Sequence, residues 1–503
     1  MCSSPRYRWQ TWLRLADEVQ VEMNMSSVVL AVPEIWVFSM ACIILLVDLF
    51  LREERRGIIH LLAMVTVIFA AIITLRADYV DQGLRLATAF NGSYLRDPMG
   101  DVLKLFTFVV LGFVFIYAKY YLRQFRMFRA DFYTLSLLAL LGIMLLISAN
   151  SLLMIYLGLE LTSLSTYALV AYDRDSSKGS EAAMKYFVLG SMASGMLLYG
   201  MSMIYGATGS LDLNLISTAV SNAGRDDLML IFGLAFLVVG LAFKLGVVPF
   251  HMWIPDVYDG APAAVTLFIA SVPKMAGFAM AFRLLQTGLG DLHADWQQML
   301  AVLALLSIML GNTAAIAQTN IKRMLAYSTI SHMGFVLLGF LPGSNEGYGA
   351  AMYYMIVYSL MTAAAFGMVI LLSSRGVEAE NLNDFKGLNQ RNNWYAAIMA
   401  MVMFSMAGVP VFVGFFAKWL VIQAALNAGL VGLAIVAVVF SVIGSFYYLR
   451  VVKLMYFDDP ITEQAINAPV DFRAVLSLNG ILMLGLGVFS SSLIAVCMRS
   501  FGP

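Results

Sequence analysis

From residue 30 onward the chain alternates between long apolar runs and short polar segments. A helix crosses a hydrocarbon layer of ~30 Å with about 20 residues, at ~1.5 Å each. Fourteen runs of this kind predict helices at 30–51, 57–75, 101–121, 131–149, 151–171, 181–205, 228–250, 263–286, 296–317, 322–341, 348–373, 393–424, 429–456 and 472–497. The seventh and twelfth are interrupted by Gly and Pro. In GLAFKLGVVPFHMWIPDVYDGAP (240–262), Lys244 precedes Gly246, Pro249 and His251. In GVPVFVGFFAKW (408–419), Lys418 follows Pro410. Irregular backbone at membrane depth survives only where protein or water covers it. The pattern predicts an all-α polytopic membrane protein with about fourteen transmembrane helices.

The polar segments orient these helices. With the first helix starting outside, seventeen Lys and Arg fall on the cytoplasmic side, from Arg52 to Arg473. Six fall on the other side: Arg76, Arg85, Arg96, Arg225, Arg283 and Arg499. This asymmetry follows the positive-inside rule and puts both termini outside. Residues 1–24 are polar, contain Arg6, Arg8 and Arg14, and lack the apolar core of a secretory signal. They are expected to be a polar tail or an upstream start-site artefact, with Met25 as the natural start and an amphipathic surface helix as the weaker option.

Composition narrows the chemistry. Of 503 residues 61% are hydrophobic and 12% charged, about half the charged share of a soluble domain. The formal net charge is zero, which gives no case for nucleic-acid binding. Cys2, Cys42 and Cys497 are far apart, and no metal, haem, iron–sulfur, dinucleotide or P-loop spacing is present. This chain is expected to carry no redox centre, cofactor or metal.

The charges left inside the spans are the main functional signal. Lys104 lies near a helix end, where it is expected to snorkel. Glu160, Lys185, Lys244, Lys274 and Lys418 lie deeper. A charge at mid-membrane costs about 2.5–3.5 kcal/mol on insertion scales. Five unpaired charges would cost on the order of 12–18 kcal/mol, comparable to the stability of a whole domain. They must face one another or water. A buried lysine gives up its proton more readily, and a nearby carboxylate opposes that loss. Lysines poised in this way form a proton relay. His332 and His251 are candidate polar links, while His60 and His293 lie at helix ends.

An internal repeat reinforces the reading. LALLGIML (138–145) returns as LALLSIML (303–310), and the two broken helices lie five helices apart. Broken helices at matching places in two halves point to a transport site. An odd-numbered unit inserts upside down in its second copy. The expected organisation is a 1–24 tail, N-terminal helices 1–3 at 25–130, a first five-helix bundle at 131–290, a second, inverted bundle at 291–457, and a C-terminal helix at 458–503.

LGLELTSLSTYALVAY (157–172), VPFHMWIPDVYDGAPAAV (248–265), QTNIKRMLAYSTISHMGF (318–335) and GVPVFVGFFAKW (408–419) resemble the antiporter-like subunits of respiratory complex I. The similarity runs from about Met25 to the C-terminus. Within that family the PDVYDGAP loop, Lys274, Lys418 and the absence of a long lateral helix resemble the N branch, the counterpart of mitochondrial subunit 2, over the L and M branches.

The resemblance implies a proton-translocating membrane-arm subunit of NADH–quinone oxidoreductase in the bacterial inner membrane. NADH, FMN, iron–sulfur clusters and quinone would be handled by other subunits. Partners would be the paralogous antiporter-like subunits, small membrane subunits, lipids, protons and water. Carried over by motif, Glu160 and Lys244 form a pair that Lys185 modulates. Lys274 links toward the second half, Lys418 is the terminal proton donor or acceptor, and Tyr327, Ser328 and His332 supply a polar link. The DFKGL segment (384–388) matches a loop entering helix 12. Two other readings stay open: a subunit of a multi-subunit cation/proton antiporter, and a structural spacer that moves nothing.

Overall fold

The computed structural model describes residues 25–52, 55–76, 86–223, 227–373, 376–461 and 466–502. The expectation for the 1–24 tail lies outside them. Each of the fourteen predicted runs contains helix. Among the described residues, eleven helices are long and apolar enough to cross a membrane. The helices Val32–Asp48, Asn393–Ala407 and Val413–Asn427 are shorter.

Several elements depart from the linear reading. The 263–286 run is segmented into Ala263–Ser271, Pro273–Ala281 and a π-helical turn at Phe282–Gly288. Pro273 removes a backbone N–H from the ladder, and π turns interrupt helices in the same manner. The 472–497 run divides at Phe489 into Val470–Val488 and Ser490–Arg499. Several elements have no counterpart in the apolar pattern because each is short or half polar. One is an amphipathic helix at Leu213–Ala223. Another is an antiparallel hairpin, Ala87–Ala89 with Tyr94–Arg96, turned through Asn91 and Gly92 at positive φ.

Burial ranks the helices. In the most apolar 18 residues of the spans Asn345–Leu372 and Ala263–Gly288, 94% of the residues are buried, against 33% in Ser177–Thr208 and 28% in Val431–Phe457. The first two are therefore the axis around which the others pack. One of them carries Lys274 and the other faces His332.

Ion pairs between distant segments tie the bundle together, and they correct the charge count. Lys104 does not snorkel: it is 1% exposed, with Nζ 2.5 Å from Glu34 Oε1 and 3.1 Å from Tyr94 Oη. Arg283 and Lys322, counted above among the polar connections, are also buried. Arg283 pairs with Asp97 at 2.8 Å and donates to Ile147 O. Lys322 pairs with Glu378 at 2.7 Å and donates to Ala261 O. The carboxylates come from 70, 186 and 56 residues away, so no window along the chain shows them.

At the end of the bundle rich in Lys and Arg, Glu378 also accepts from Tyr121 and from Ala263 N–H. Burial pushes its carboxyl upward. Lys322 and these donors more than offset this and hold it below the usual carboxylate range.

Removing one partner of a buried pair costs about 3–5 kcal/mol, because a lone charge stays behind. Lys104→Met is therefore expected to lower the thermal midpoint of the detergent-solubilised protein, and adding Glu34→Leu is expected to restore most of the loss. For Glu378 the lowered value means that its contribution is complete above the unfolded carboxylate range. That contribution is lost only as pH falls through the folded value. Unfolding midpoints measured against pH should show this acid limb, and Glu378→Gln should remove it.

Candidate functional site

Two interrupted helices position the buried lysines. The Leu228–Leu245 helix ends at Gly246, with φ 81°, and the Asn393–Ala407 helix ends at Gly408, with φ 87°. Both close with the same pair of bonds. Gly246 and Val247 donate N–H to Ala242 O at 2.8 and 3.0 Å; Gly408 and Val409 donate to Phe404 O at 3.1 and 3.0 Å. Left-handed φ favours glycine at both positions. A Cβ on residue 408 would also press on Lys418 Cδ at 3.0 Å. Pro249 and Pro410 have no N–H with which to resume a ladder. Helix returns only at Trp253 and Val413.

This capping leaves the last carbonyls of each half-helix without a partner in the helix. Lys274 Nζ donates to Leu245 O at 2.9 Å, and Lys418 Nζ donates to Ala407 O at 2.9 Å. In each case the acceptor is the carbonyl just before the left-handed glycine. The negative end of a helix dipole favours a cation there. Each ammonium also lies over an aromatic ring, Lys274 at 5.5 Å from Trp253 and Lys418 at 5.4 Å from Phe335. Lys418 donates a second bond to Ser441 Oγ at 3.0 Å. The two lysines are 3% and 8% exposed. Sequence matched Lys244 with Lys418 across the repeat; in local chemistry Lys418 matches Lys274.

Lys244 has a different setting. Its Nζ donates to Ser163 Oγ at 3.2 Å, and it lines a cavity of ≈ 20 Å³ with Ser163, Ser194, Tyr167 and Trp253. That volume holds about one water. Glu160 makes no direct ion pair with Lys244; it accepts from Ser194, on the cavity wall. Glu160 and Lys244 are thus each held by a serine of the cavity wall. Trp253 joins this cavity to the next lysine, since its ring lies under Lys274 and its Nε1 donates to Phe243 O at 3.0 Å.

A hydroxyl hub lies between Lys274 and Lys418. Ser359 Oγ donates to Ser271 O at 3.0 Å, linking the two innermost helices next to Lys274. Tyr358, its chain neighbour, donates to Thr329 Oγ1 at 2.7 Å. His332 Nδ1 bonds Tyr354 Oη at 2.7 Å and its Nε2 bonds Tyr448 Oη at 3.0 Å. Tyr448 Oη in turn reaches Ser328 Oγ at 2.5 Å. Phe335, under Lys418, stacks on Tyr354.

Other expected residues lie elsewhere. Lys185 is not in the line: its side chain is 44% exposed and pairs with Glu181 at 2.8 Å and Asp256 at 2.9 Å. The helix starts at Ser177, four residues before the apolar run, so Lys185 sits near its basic end with Glu181 at i,i+4. Tyr327 is half-buried; the hub's phenols are Tyr354, Tyr358 and Tyr448. His251 lies in the first break, with Nδ1 making no hydrogen bond among the described residues. DFKGL begins inside a capped turn at Leu382–Phe385, and Gly387 rests against Pro460. Among the described residues no three His, Cys, Asp or Glu side chains converge to hold a metal ion. Ser163, Ser194, Ser441, Tyr354, Tyr358, Tyr448 and Trp253 escaped the sequence reading. Ser163 alone had a signal there, one turn from Glu160 in LELTSL.

The family model described as "NADH:quinone oxidoreductase/Mrp antiporter, TM" matches residues 149–444, which hold both breaks and every lysine of the line. The chain is 53% identical over 466 residues to NADH-quinone oxidoreductase subunit N of Thioalkalivibrio sulfidiphilus, covering 92% of this chain and 96% of that one. The chain belongs to the NADH-quinone oxidoreductase subunit N family. Subunit N of Azoarcus sp. is 54% identical over 475 residues, covering 93% of this chain and 96% of the relative. Among solved structures, a chain of respiratory complex I from Thermus thermophilus superposes with a TM-score of 0.79 at 30% identity, covering 92% of this chain and 98% of that one. A chain of the Mrp complex from Dietzia sp. gives 0.83 at 19% identity, covering 95% and 97%, and shares the fold. Subunit N family membership fixes the class: an all-α, multi-pass membrane protein.

The hub yields a prediction. Tyr448→Phe keeps the ring and removes the hydroxyl that joins His332 to Ser328. Leaving buried polar groups unpaired costs about 1–3 kcal/mol. A fall in the thermal midpoint of the solubilised complex, together with slower proton translocation, is the expected result.

Proposed function

We propose that this subunit carries protons across the membrane, driven by quinone reduction elsewhere in an NADH–quinone oxidoreductase. One observation supports the reading above others. Two half-helices with identical caps each present a free terminal carbonyl to a buried lysine, and a hydroxyl–imidazole hub lies between those lysines. A structural spacer has no use for that arrangement, because a buried charge costs stability that an apolar side chain would not.

The relay works by charge proximity. While the Glu160 carboxylate stays beside the serine-lined cavity, Lys244 holds its proton. When Glu160 moves away or is neutralised, the proton passes by water and Trp253's neighbourhood to Lys274, then through the His332 hub to Lys418. Moving one charge through 100 mV takes about 2.3 kcal/mol. A change of roughly two units in proton affinity supplies about that much at 1.36 kcal/mol per unit. Lys185, with Asp256, acts at the basic end as a surface pair next to the first break.

The matching caps support two inverted five-helix units within fourteen crossings. The basic end faces the cytoplasm and both termini the periplasm of the bacterial inner membrane. Neighbours are the paralogous antiporter-like and small membrane subunits, while NADH, FMN, iron–sulfur clusters and quinone are bound by other chains. A second reading, cation/proton exchange, is favoured by the fold shared with the Mrp complex chain. It predicts sodium-dependent transport from the same lysines.

The test uses the assembled complex in membrane vesicles. Glu160→Gln and Lys244→Ala are each expected to reduce proton translocation and quinone reductase rate on the order of tenfold, as a barrier rise of about 1.4 kcal/mol would. Coupled activity near the unaltered level in both variants would end this reading. A sodium requirement would favour the exchanger.

A further inference from the structure

We propose that a groove at the basic end of the bundle binds a phospholipid whose headgroup carries both a phosphate and a primary ammonium. The groove lies where the C-terminal ends of Val32–Asp48 and Leu152–Val170 meet the N-terminal end of Ala130–Ile147. Its volume is ≈ 350 Å³, within the ~300–1,000 Å³ range of small-molecule sites.

The lining changes character along its length. Leu45, Leu49, Leu135 and Leu138 form an apolar wall on the spanning side, and Leu45 and Leu49 are 52% and 73% exposed. Asp48 and Asp131 line it in the end turns of their helices, and Arg129 and Arg174 line it just beyond helix ends. Three helices ending together mark the level at which hydrocarbon gives way to headgroups. An acyl chain on the leucines places a phosphate among the arginines.

The phosphate has a prepared seat. Arg129 is extended, with φ −128° and ψ 158°, and no side chain caps the first turn of the helix that begins at Ala130. Free N–H groups and a positive helix end favour an anion there, and two guanidinium groups add to this. The ammonium has its own partners. Asp48 Oδ1 accepts no hydrogen bond among the described residues, and its ion pair with Arg56 Nε is a long one, at 3.9 Å, which leaves the oxygen able to accept an N–H. Asp131 lies across the groove in the first turn. A choline headgroup has no N–H to give these carboxylates. A glycerol headgroup has no cation to offset the two acids beside its phosphate. Two arginines with two aspartates match a zwitterion with N–H donors, as in phosphatidylethanolamine.

This inference needs only the membrane-spanning fold, so it survives or fails apart from proton transport. The experiment uses the intact complex in nanodiscs containing photoactivatable phosphatidylethanolamine, phosphatidylcholine or phosphatidylglycerol at equal mole fraction, with labelled peptides mapped by mass spectrometry. Phosphatidylethanolamine is expected to label segments 45–49 and 129–138 in preference to both others. Arg129→Ala with Arg174→Ala is expected to reduce that labelling roughly tenfold. Asp48→Asn with Asp131→Asn is expected to erase the preference over phosphatidylglycerol. Equal labelling by the three lipids, full labelling of the arginine variant, or cross-linking of a neighbouring protein subunit in place of lipid would overturn the proposal. If the arginine variant does not assemble, the aspartate variant decides: an unchanged preference for phosphatidylethanolamine would overturn it.

Discussion

The hydrogen bond from a buried lysine to the final carbonyl of an interrupted helix is the interaction on which the site depends. A helix interior has no free carbonyl to offer, because each accepts from the residue four ahead. Interrupting the helix with a left-handed glycine and a proline releases carbonyls at membrane depth, where an unpaired one costs several kcal/mol. The lysine satisfies the carbonyl and the carbonyl satisfies the lysine. The break at Gly246 supplies the carbonyl that Lys274 bonds, and the break at Gly408 supplies the one that Lys418 bonds.

The surrounding helices follow from that constraint. The Ala263–Gly288 and Asn345–Leu372 spans must be the innermost, because they carry Lys274 and the tyrosines that face His332. Outer helices supply the remaining polar contacts one at a time: Ser163, Ser194 and Ser441. A single hydroxyl on an apolar helix is cheap to insert and can bond its own backbone until a partner is present. That is how the structure surrounds expensive groups with inexpensive ones.

Most of the helices were legible from the sequence because they lie in apolar runs of membrane length; the amphipathic Leu213–Ala223 helix was not. The breaks were legible because Gly and Pro are unambiguous at 246–249 and 408–410. Lys244, Lys274 and Lys418 stood out for the same reason: charge is rare inside such runs. What stayed hidden were pairings across long separations. Lys104 read as a helix-end residue, since nothing near it in sequence announces Glu34 or Tyr94. Lys185 read as intramembrane because the apolar run was placed four residues late. Tyr327 draws attention in the sequence because it lies beside Ser328 in the chain, although Tyr448, 120 residues away, is the one that bonds it.

In the proposed relay, the geometry at Lys418 singles out one proton as the one to move. An ammonium has three N–H donors. Two are committed, one to Ala407 O and one to Ser441 Oγ. The third lies over Phe335, whose ring stacks on Tyr354, the partner of His332. A neutral amine keeps two N–H groups, enough to retain both anchors. Lys418 can therefore give up its third proton without leaving its position, and a proton can return by the same side. Deprotonation then requires no rearrangement of the broken helix, only a water or hydroxyl at the face of the ring. A lysine whose three donors were all anchored would have to break one of those bonds to transfer charge.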